Sequence, residues 1–150
     1  MNYARLNLSA AYNSVGKNED ALKALKDAAT IDPQNDRIFY NLGLLYYEMK
    51  NVTQAAQSFQ QAVRLGSMNT SLYYNYGLLL QQQGKLKEAE QTLLKGYAMN
   101  PQAINVNYAL AFLYANQNNL TKARVHAGVL RKLDSGNPEY QALFKRLQME

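Results

Sequence analysis

The stretch DRIFYNLGLLYYEMKNVTQAAQSFQQAVRLGSMN, residues 36–69, decides the fold of this chain. Apolar residues recur in steps of three and four over residues 38–46, which is the spacing of one face of an α-helix. Polar residues then interrupt the pattern, and the same helical spacing resumes over residues 55–63. Gly66 follows at a place that suits a helix C-terminus. The stretch therefore predicts two helices joined by a turn.

The same pattern returns 34 residues earlier and later, so the chain consists of repeats. One place always holds a small residue: Ser9, Gly43, Gly77 and Ala111. Another holds alanine every time: Ala21, Ala55, Ala89 and Ala123. These matches divide the chain into repeats one to four, residues 2–35, 36–69, 70–103 and 104–137, followed by a last helix at 138–149.

The recurring small residues predict close contact between helices. A glycine inside a helix costs about 1 kcal/mol relative to alanine. Gly43 and Gly77 both lie in the middle of a predicted helix, so a compensating interaction is required. We expect a second helix to approach closely at these places, with Ala55 and Ala89 as the small residues that face the glycines.

These features resemble the tetratricopeptide repeat family. The resemblance is carried by Asn41-Leu42-Gly43 with Tyr46 and by Tyr76-Gly77 with Pro101. The family's tryptophan is absent, and its place holds Arg5, Phe39, Tyr73 and Asn107. The resemblance implies an all-α fold, a right-handed α-solenoid of four helix–turn–helix repeats with a C-terminal capping helix, forming a single domain over residues 1–150.

The last helix has the pattern of a cap. Its apolar stripe is predicted to face the preceding helix pair and consists of Tyr140, Leu143, Phe144 and Leu147. Its other stripe is polar, with Gln141, Lys145 and Gln148, so no further helix is expected there. Elsewhere, Asn35 or Asp36 is predicted to cap one helix and Thr121 another.

Composition restricts the partners. The formal net charge is +5, but the lysines and arginines are dispersed over second helices and turns, which favours a solvated surface over a nucleic-acid partner. The absence of cysteine excludes disulfides and thiolate metal sites.

No apolar stretch approaches the roughly 20 residues that span a bilayer. No signal-peptide pattern is present. Because Asn2 already begins a repeat, we expect further sequence upstream in the parent protein, so a cytoplasmic location is only the default.

A third stripe of each first helix is not needed for packing, and the resemblance implies that it lines a concave groove. The predicted groove residues are Asn7, Arg37, Tyr40, Asn41, Leu44, Tyr47, Tyr74, Asn75, Leu78, Tyr108 and Phe112. Tyr40, Tyr74 and Tyr108 form an aromatic ladder, and Asn7, Asn41 and Asn75 form an amide ladder. Tyrosine gives contact area with few rotors, and asparagine can both donate to and accept from a peptide backbone.

The predicted function is a non-catalytic scaffold that binds a peptide or helical segment of a partner protein in this groove. A carboxylate clamp of the kind found in chaperone-binding members of the family is not expected. The clamp needs cationic side chains at set positions, and neither of the two possible alignments of those positions with this sequence places a lysine or arginine there. Tyrosine and asparagine can instead serve packing alone. A second hypothesis is a structural or self-associating segment of a larger multidomain protein. The exposed start of repeat one, at Leu6, Ala10 and Ala11, favours this hypothesis.

Catalysis finds little support in the sequence. His126 is the single histidine and lies on a second helix, where a surface or packing role is expected. No glycine-rich phosphate loop and no H-E-x-x-H spacing is present. We therefore expect no cofactor and no metal.

Overall fold

The computed structural model describes residues 17–149, which form eight helices and no strand. The helices are α1 (Asn18–Ile31), α2 (Asp36–Glu48), α3 (Val52–Arg64), α4 (Thr70–Gln82), α5 (Leu86–Met99), α6 (Ile104–Asn116), α7 (Leu120–Leu133) and α8 (Pro138–Arg146). Asn7 and the other predictions for repeat one's first helix and exposed start lie outside the described residues. The all-α prediction is confirmed for residues 17–149.

The chain divides into two compact units, Met1–Met68 and Asn69–Glu150, here called the N-terminal and C-terminal units. In the N-terminal unit, α2 and α3 pack as a hairpin and α1 packs against α2. Buried side chains from all three helices fill the space between them, among them Leu25, Ile38, Leu42, Phe59 and Ala62. The extent of the domain, 1–150, stays a prediction.

The C-terminal unit contains two hairpins and the last helix. α4 pairs with α5, α6 pairs with α7, and α4 and α6 lie side by side. A continuous core runs from Leu93 on α5 to Leu147, just after α8. Helix α6 is apolar over most of its circumference, with eight buried residues. Packing on so many sides explains why α6 lacks a broad polar face.

One turn type joins the helices of each complete hairpin. The N–H of a turn residue bonds to a carbonyl five residues back, at 2.8–2.9 Å, in the pairs Asn51–Tyr46, Lys85–Leu80 and Asn119–Tyr114. The residue before each donor has a left-handed backbone: Lys50 (φ 61°), Gly84 (φ 77°) and Asn118 (φ 59°). This is the Schellman pattern. Since two of the three positions are not glycine, the packed helices must hold the turn in place.

Asparagine caps most of the helices. The side chains of Asn35, Asn51, Asn69, Asn119 and Asn137 each accept a hydrogen bond from a backbone N–H in the first turn that follows. The prediction that Asn35 or Asp36 caps α2 is confirmed for Asn35. The prediction for Thr121 is wrong, because α7 begins at Leu120 and its cap is Asn119, which accepts from the Lys122 N–H at 3.2 Å.

The glycines in mid-helix do permit close packing, but against larger residues than the sequence predicted. A Cβ placed on Gly43 would lie 2.4 Å from the ring of Phe59, and one on Gly77 would lie 2.6 Å from Cγ of Leu93. Both distances are shorter than real contacts allow. The atoms nearest to the glycines thus belong to Phe59 and Leu93 and not to the predicted alanines, which are nonetheless fully buried.

Repeat four packs its two helices with two alanines at the same positions. The positions that correspond to Gly77 and Leu93 hold Ala111 and Ala127, both fully buried. Relative to repeat three, the first helix gains one side-chain carbon and the second helix loses three. A Cβ on the first helix therefore goes with a smaller side chain on the second, because the space between the two helices is restricted.

The last helix packs as predicted. Tyr140, Leu143, Phe144 and Leu147 are buried, whereas Gln141, Lys145 and Gln148 are exposed. Pro138 takes the first helical position, where its missing N–H costs nothing. The Arg124 Nε–H of α7 donates to the Leu147 carbonyl at 2.9 Å, which satisfies a backbone acceptor at the end of α8.

We predict that Gly77→Ala lowers the free energy of unfolding by up to about 2 kcal/mol, because an overpacking cost of about 1–3 kcal/mol opposes the helix-propensity gain of about 1 kcal/mol. Leu93→Ala alone should cost about 2–5 kcal/mol. The double variant recreates the alanine pair of repeat four, so its loss should fall short of the sum by about 1 kcal/mol or more. Urea unfolding measures all three.

Gly128→Ala is the matched control, since a Cβ on that helical glycine meets nothing within 4 Å. It should stabilise the protein by roughly 0.5–1 kcal/mol. Equal stabilisation by Gly77→Ala, or strict additivity in the Gly77 and Leu93 cycle, would contradict the volume restriction.

Candidate functional site

Helices α4 and α6 place four large side chains in register. Tyr74 and Leu78 are one helical turn apart on α4, and Tyr108 and Phe112 hold the corresponding places on α6. Leu78 is 37% exposed and Phe112 is 36% exposed, although both are apolar. The structure thus brings together four of the predicted groove residues on one face of the C-terminal unit.

A small cavity, the aromatic hollow, lies between these side chains. Its volume is about 190 Å³, and it is lined by Tyr74, Leu78, Gln81, Tyr108, Ala109 and Phe112. The rings of Tyr108 and Phe112 are 5.1 Å apart and inclined by 56°, an arrangement that aromatic pairs favour. The hollow offers a mostly apolar contact surface with Gln81 as its amide.

A larger cavity, the tyrosine cleft, adjoins the same two tyrosines. Its volume is about 600 Å³, and it is lined by Tyr74, Asn100, Gln102, Ala103, Ile104, Asn105, Tyr108, Glu139 and Tyr140. The Tyr108 and Tyr140 rings are 5.2 Å apart and inclined by 45°. The cleft therefore joins α4, the turn before α6, the start of α6 and the start of α8.

Glu139 and Tyr140 were not predicted as site residues. A signal for Glu139 exists, because it lies 34 residues after Asn105 and so continues the groove stripe that holds Arg37 and Ser71 in earlier repeats. The prediction that α8 is only a cap did not include this continuation of the groove stripe. Tyr140 was predicted to be a packing residue, and it is one, but it also lines the cleft.

Two tyrosines of the cleft, Tyr108 and Tyr140, have pKa values raised above the ordinary value of tyrosine. Burial raises the pKa of Tyr108, and the negative charge of Glu139 and the neighbouring Tyr74 raise it further. Burial also raises the pKa of Tyr140, followed by the charges of Asp134 and Glu139 and the nearby Tyr108 and Tyr74. Both phenols therefore keep their protons and can donate hydrogen bonds at physiological pH.

The N-terminal unit carries the other predicted groove residues on α2. Arg37 and Tyr47 are exposed, and Tyr47 is 48% accessible. Tyr40, Asn41 and Leu44 are half-buried. The Tyr40 ring also contacts Phe59, with centroids 6.0 Å apart. Tyr40 thus contributes to packing and is still partly accessible.

Two members of the amide ladder, Asn41 and Asn75, lie within the described residues. Asn75 is half-buried on α4 beside Tyr74 but lines neither the aromatic hollow nor the tyrosine cleft. Asn41 holds the corresponding place in the N-terminal unit and is also half-buried. Asn7 lies outside the described residues. A role for these amides in binding stays a prediction.

His126 belongs to a buried polar pair and not to the cleft. It is 5% exposed, and its Nδ1 lies 3.0 Å from Oδ1 of the fully buried Asn107. The Asn107 amide donates both hydrogens, to the Pro101 and Ala103 carbonyls at 2.9 and 2.8 Å. Its oxygen must therefore accept, so the hydrogen of the neutral imidazole is on Nδ1. Of the two expected roles, surface or packing, the structure selects packing.

Repeat four differs from repeats two and three at two facing positions, those of Asn107 on α6 and His126 on α7. Where Asn107 and His126 stand in repeat four, repeat three has Tyr73 and Thr92, and repeat two has Phe39 and Ser58. A large ring with a small hydroxyl residue is thus replaced by an amide with an imidazole. Comparing both positions across the repeats is the sequence signal that could have revealed this pair.

A metal-binding group of side chains and a membrane-spanning helix are both absent from the described residues. Within residues 17–149, no group of three or more histidine, aspartate and glutamate side chains is arranged to hold a metal ion. Within the same range, no helix combines the length and apolar character that crossing a membrane requires.

Family models match consecutive parts of the chain. A model described as "TPR repeat" matches residues 10–50, and two described as "Tetratricopeptide repeat" match residues 40–104 and 80–147. Together these matches run from residue 10 to residue 147. No curated protein sequence matches the chain significantly.

Several solved structures have the same fold. A tetratricopeptide repeat protein from Parabacteroides merdae has a TM-score of 0.89 at 18% identity, over 98% of this chain and 59% of that one. For pilF of Pseudomonas aeruginosa the TM-score is 0.82 at 22% identity, over 97% and 67%. YrrB, a TPR protein with an unusual peptide-binding site, gives 0.81 at 21%, over 96% and 76%. The predicted fold class, an α-solenoid, is confirmed.

We predict that the stability of the protein falls as the pH drops below about 6.5, the ordinary pKa of histidine. Burial lowers the pKa of His126 in the folded protein, so the unfolded chain takes up a proton first. Stability is then fully present above the unfolded pKa and decreases, by up to about 1.4 kcal/mol per pH unit, until the folded pKa is reached.

The measurement is the free energy of unfolding in urea at several pH values between 7.5 and 5, compared with His126→Gln. The variant has no titratable group at this position, so its stability should vary less over the same range. Parallel curves for the two proteins would show that His126 does not carry the effect.

Proposed function

Because this chain belongs to the tetratricopeptide repeat family, we propose that it is a non-catalytic scaffold that binds a peptide or helical segment of a partner protein. In the C-terminal unit, the binding surface is the face formed by α4 and α6, with the aromatic hollow as its apolar centre. No cofactor takes part in this function. Proteins with this repeat fold are in general interaction scaffolds, which supports the proposal.

The observation that carries the proposal is the exposure of matched apolar side chains around a hollow. Leu78 and Phe112 are both more than one-third exposed on neighbouring helices, and they line the same hollow. Burying such surface on binding contributes about 25 cal/mol per Å² before the costs of association. Large side chains that surround a concave site are typical of the residues that dominate binding energy.

The two tyrosines shared by both cavities support the same face. Tyr74 and Tyr108 line the aromatic hollow and the tyrosine cleft, so a segment that follows this surface meets apolar contacts first and polar contacts next. Tyrosine loses little conformational entropy on binding and can donate a hydrogen bond. Among the similar structures, YrrB has a peptide-binding site, which agrees with this use of the fold.

The amide ladder is a further part of the proposal. Asn41 and Asn75 each have a donor and an acceptor on one side chain, and both residues are half-buried. In this view they fix the partner's backbone while the aromatic hollow takes a side chain. The alternative, self-association through the start of repeat one, concerns residues outside the described range and stays a prediction.

Leu78→Asp should weaken peptide binding about tenfold or more, because it places a charge in the aromatic hollow. The ligands are peptides selected from a random library displayed on phage against the wild-type protein and then synthesised. Fluorescence anisotropy gives their dissociation constants.

Leu94→Asp is the control, since Leu94 is also a leucine, is 36% exposed, and lies on the second helix α5. It should leave the dissociation constants within about twofold, as expected away from the binding centre. Equal weakening by the two substitutions, or none from Leu78→Asp, would reject this face as the binding surface.

For the amides, Asn41→Ala combined with Asn75→Ala should weaken the same peptides by roughly tenfold, the loss expected for about two neutral hydrogen bonds. The thermal midpoint should change little. Affinity that is unaltered while the protein remains folded would remove the amide ladder from the proposal and leave the aromatic hollow in place.

A further inference from the structure

The tyrosine cleft combines aromatic rings with a carboxylate. Tyr74, Tyr108 and Tyr140 all contribute to its walls, and Glu139 contributes the one carboxylate among its nine lining residues. The Glu139 side chain is exposed in the first turn of α8. A cation that enters the cleft would therefore lie near several aromatic rings and a negative charge within one site.

The charge of the cleft is opposite to that of the whole chain. The chain has a formal net charge of +5, yet none of the residues that line the cleft is lysine or arginine. Asp134 adds to the negative field, since its charge and that of Glu139 both act on Tyr140. The cleft thus favours a positive group, while the average charge of the protein would repel one.

Amide oxygens supply acceptors at the wall opposite α8. The side-chain oxygen of Asn105 accepts from the Val106 N–H at 2.8 Å, and that of Asn100 accepts from the Gln102 N–H at 3.1 Å. Each of these oxygens has a second lone pair. A ligand with several N–H donors in one plane can use the carboxylate and these amides together.

We propose that the tyrosine cleft binds the guanidinium group of an arginine side chain in the partner segment, an inference that rests on the proposed function. Guanidinium is planar, stacks on aromatic rings and presents five N–H donors. A lysine ammonium is compact and more strongly hydrated, so it gains less from the rings.

The competing ligand is an anion at the N-terminus of α6. That end carries a partial positive charge, and its capping residue, Ala103, offers no side-chain acceptor. Glu139, however, places a full negative charge in the same cleft, and this charge opposes a second anion. The balance of charge therefore favours arginine.

Selection from the phage-displayed peptide library tests the proposal with three baits: the wild-type protein, Glu139→Lys and Glu88→Lys. Glu88 is an exposed glutamate in the first turn of α5, so its substitution makes the same charge change in the first turn of a helix, outside the cleft. The wild-type and Glu88→Lys baits should enrich arginine over lysine and over acidic residues. Glu139→Lys should lose that enrichment.

A selected peptide then provides the sharper measurement. Replacing its arginine by citrulline, a neutral isostere, should weaken binding to the wild-type protein about tenfold or more. The same replacement should have a much smaller effect with Glu139→Gln, because the carboxylate that distinguishes the two side chains is gone. Replacement by lysine should weaken binding to an intermediate extent.

The outcomes separate this inference from the proposed function. Peptides that need Leu78 but show no arginine preference, or bind Glu139→Lys equally well, overturn the arginine site and leave the scaffold function intact. Enrichment of acidic residues overturns it in favour of an anion at α6. If no selected peptide depends on Leu78, both the arginine site and the proposed function are wrong.

Discussion

The contact on which the hairpins of repeats two and three depend is that between a glycine of the first helix and a bulky side chain of the second. At Gly43 the Phe59 ring occupies the space of a Cβ, and at Gly77 Leu93 does so. A mid-helix glycine weakens the helix by about 1 kcal/mol, so the helix is stable here because tertiary packing outweighs propensity. Repeat four reaches the same packing with Ala111 and Ala127, both fully buried.

This packing decides which side chains are left for binding. The core-facing stripes of α4 and α6 pack against neighbouring helices. The remaining stripe holds Tyr74, Leu78, Tyr108 and Phe112. Two apolar residues on that stripe, Leu78 and Phe112, are more than one-third exposed. The last helix completes the surface, since Glu139 and Tyr140 close one side of the tyrosine cleft.

Repeat four also replaces an apolar contact by a polar one. The Asn107 amide is fully satisfied by two carbonyls and His126, so its burial need not be destabilising. The imidazole lies edge-on to Tyr97, with centroids 4.8 Å apart, and over Tyr114 at 5.8 Å. Such a satisfied network fixes one arrangement of the side chains. It also makes the folded state sensitive to protonation of His126, because a charge there is poorly solvated.

The sequence by itself determined the helices within residues 17–149, their repeat of 34 residues, the cap at Asn35, the fold class and the stripe that holds Tyr74, Leu78, Tyr108 and Phe112. Each of these follows from local spacing, which periodicity records directly. Only the tertiary structure decided that Phe59 and Leu93 pack on the glycines, that Asn107 pairs with His126, and that Glu139 and Tyr140 enter the cleft. Those features depend on which side chains from different helices meet, and a single helical period contains no information about the distance between helices.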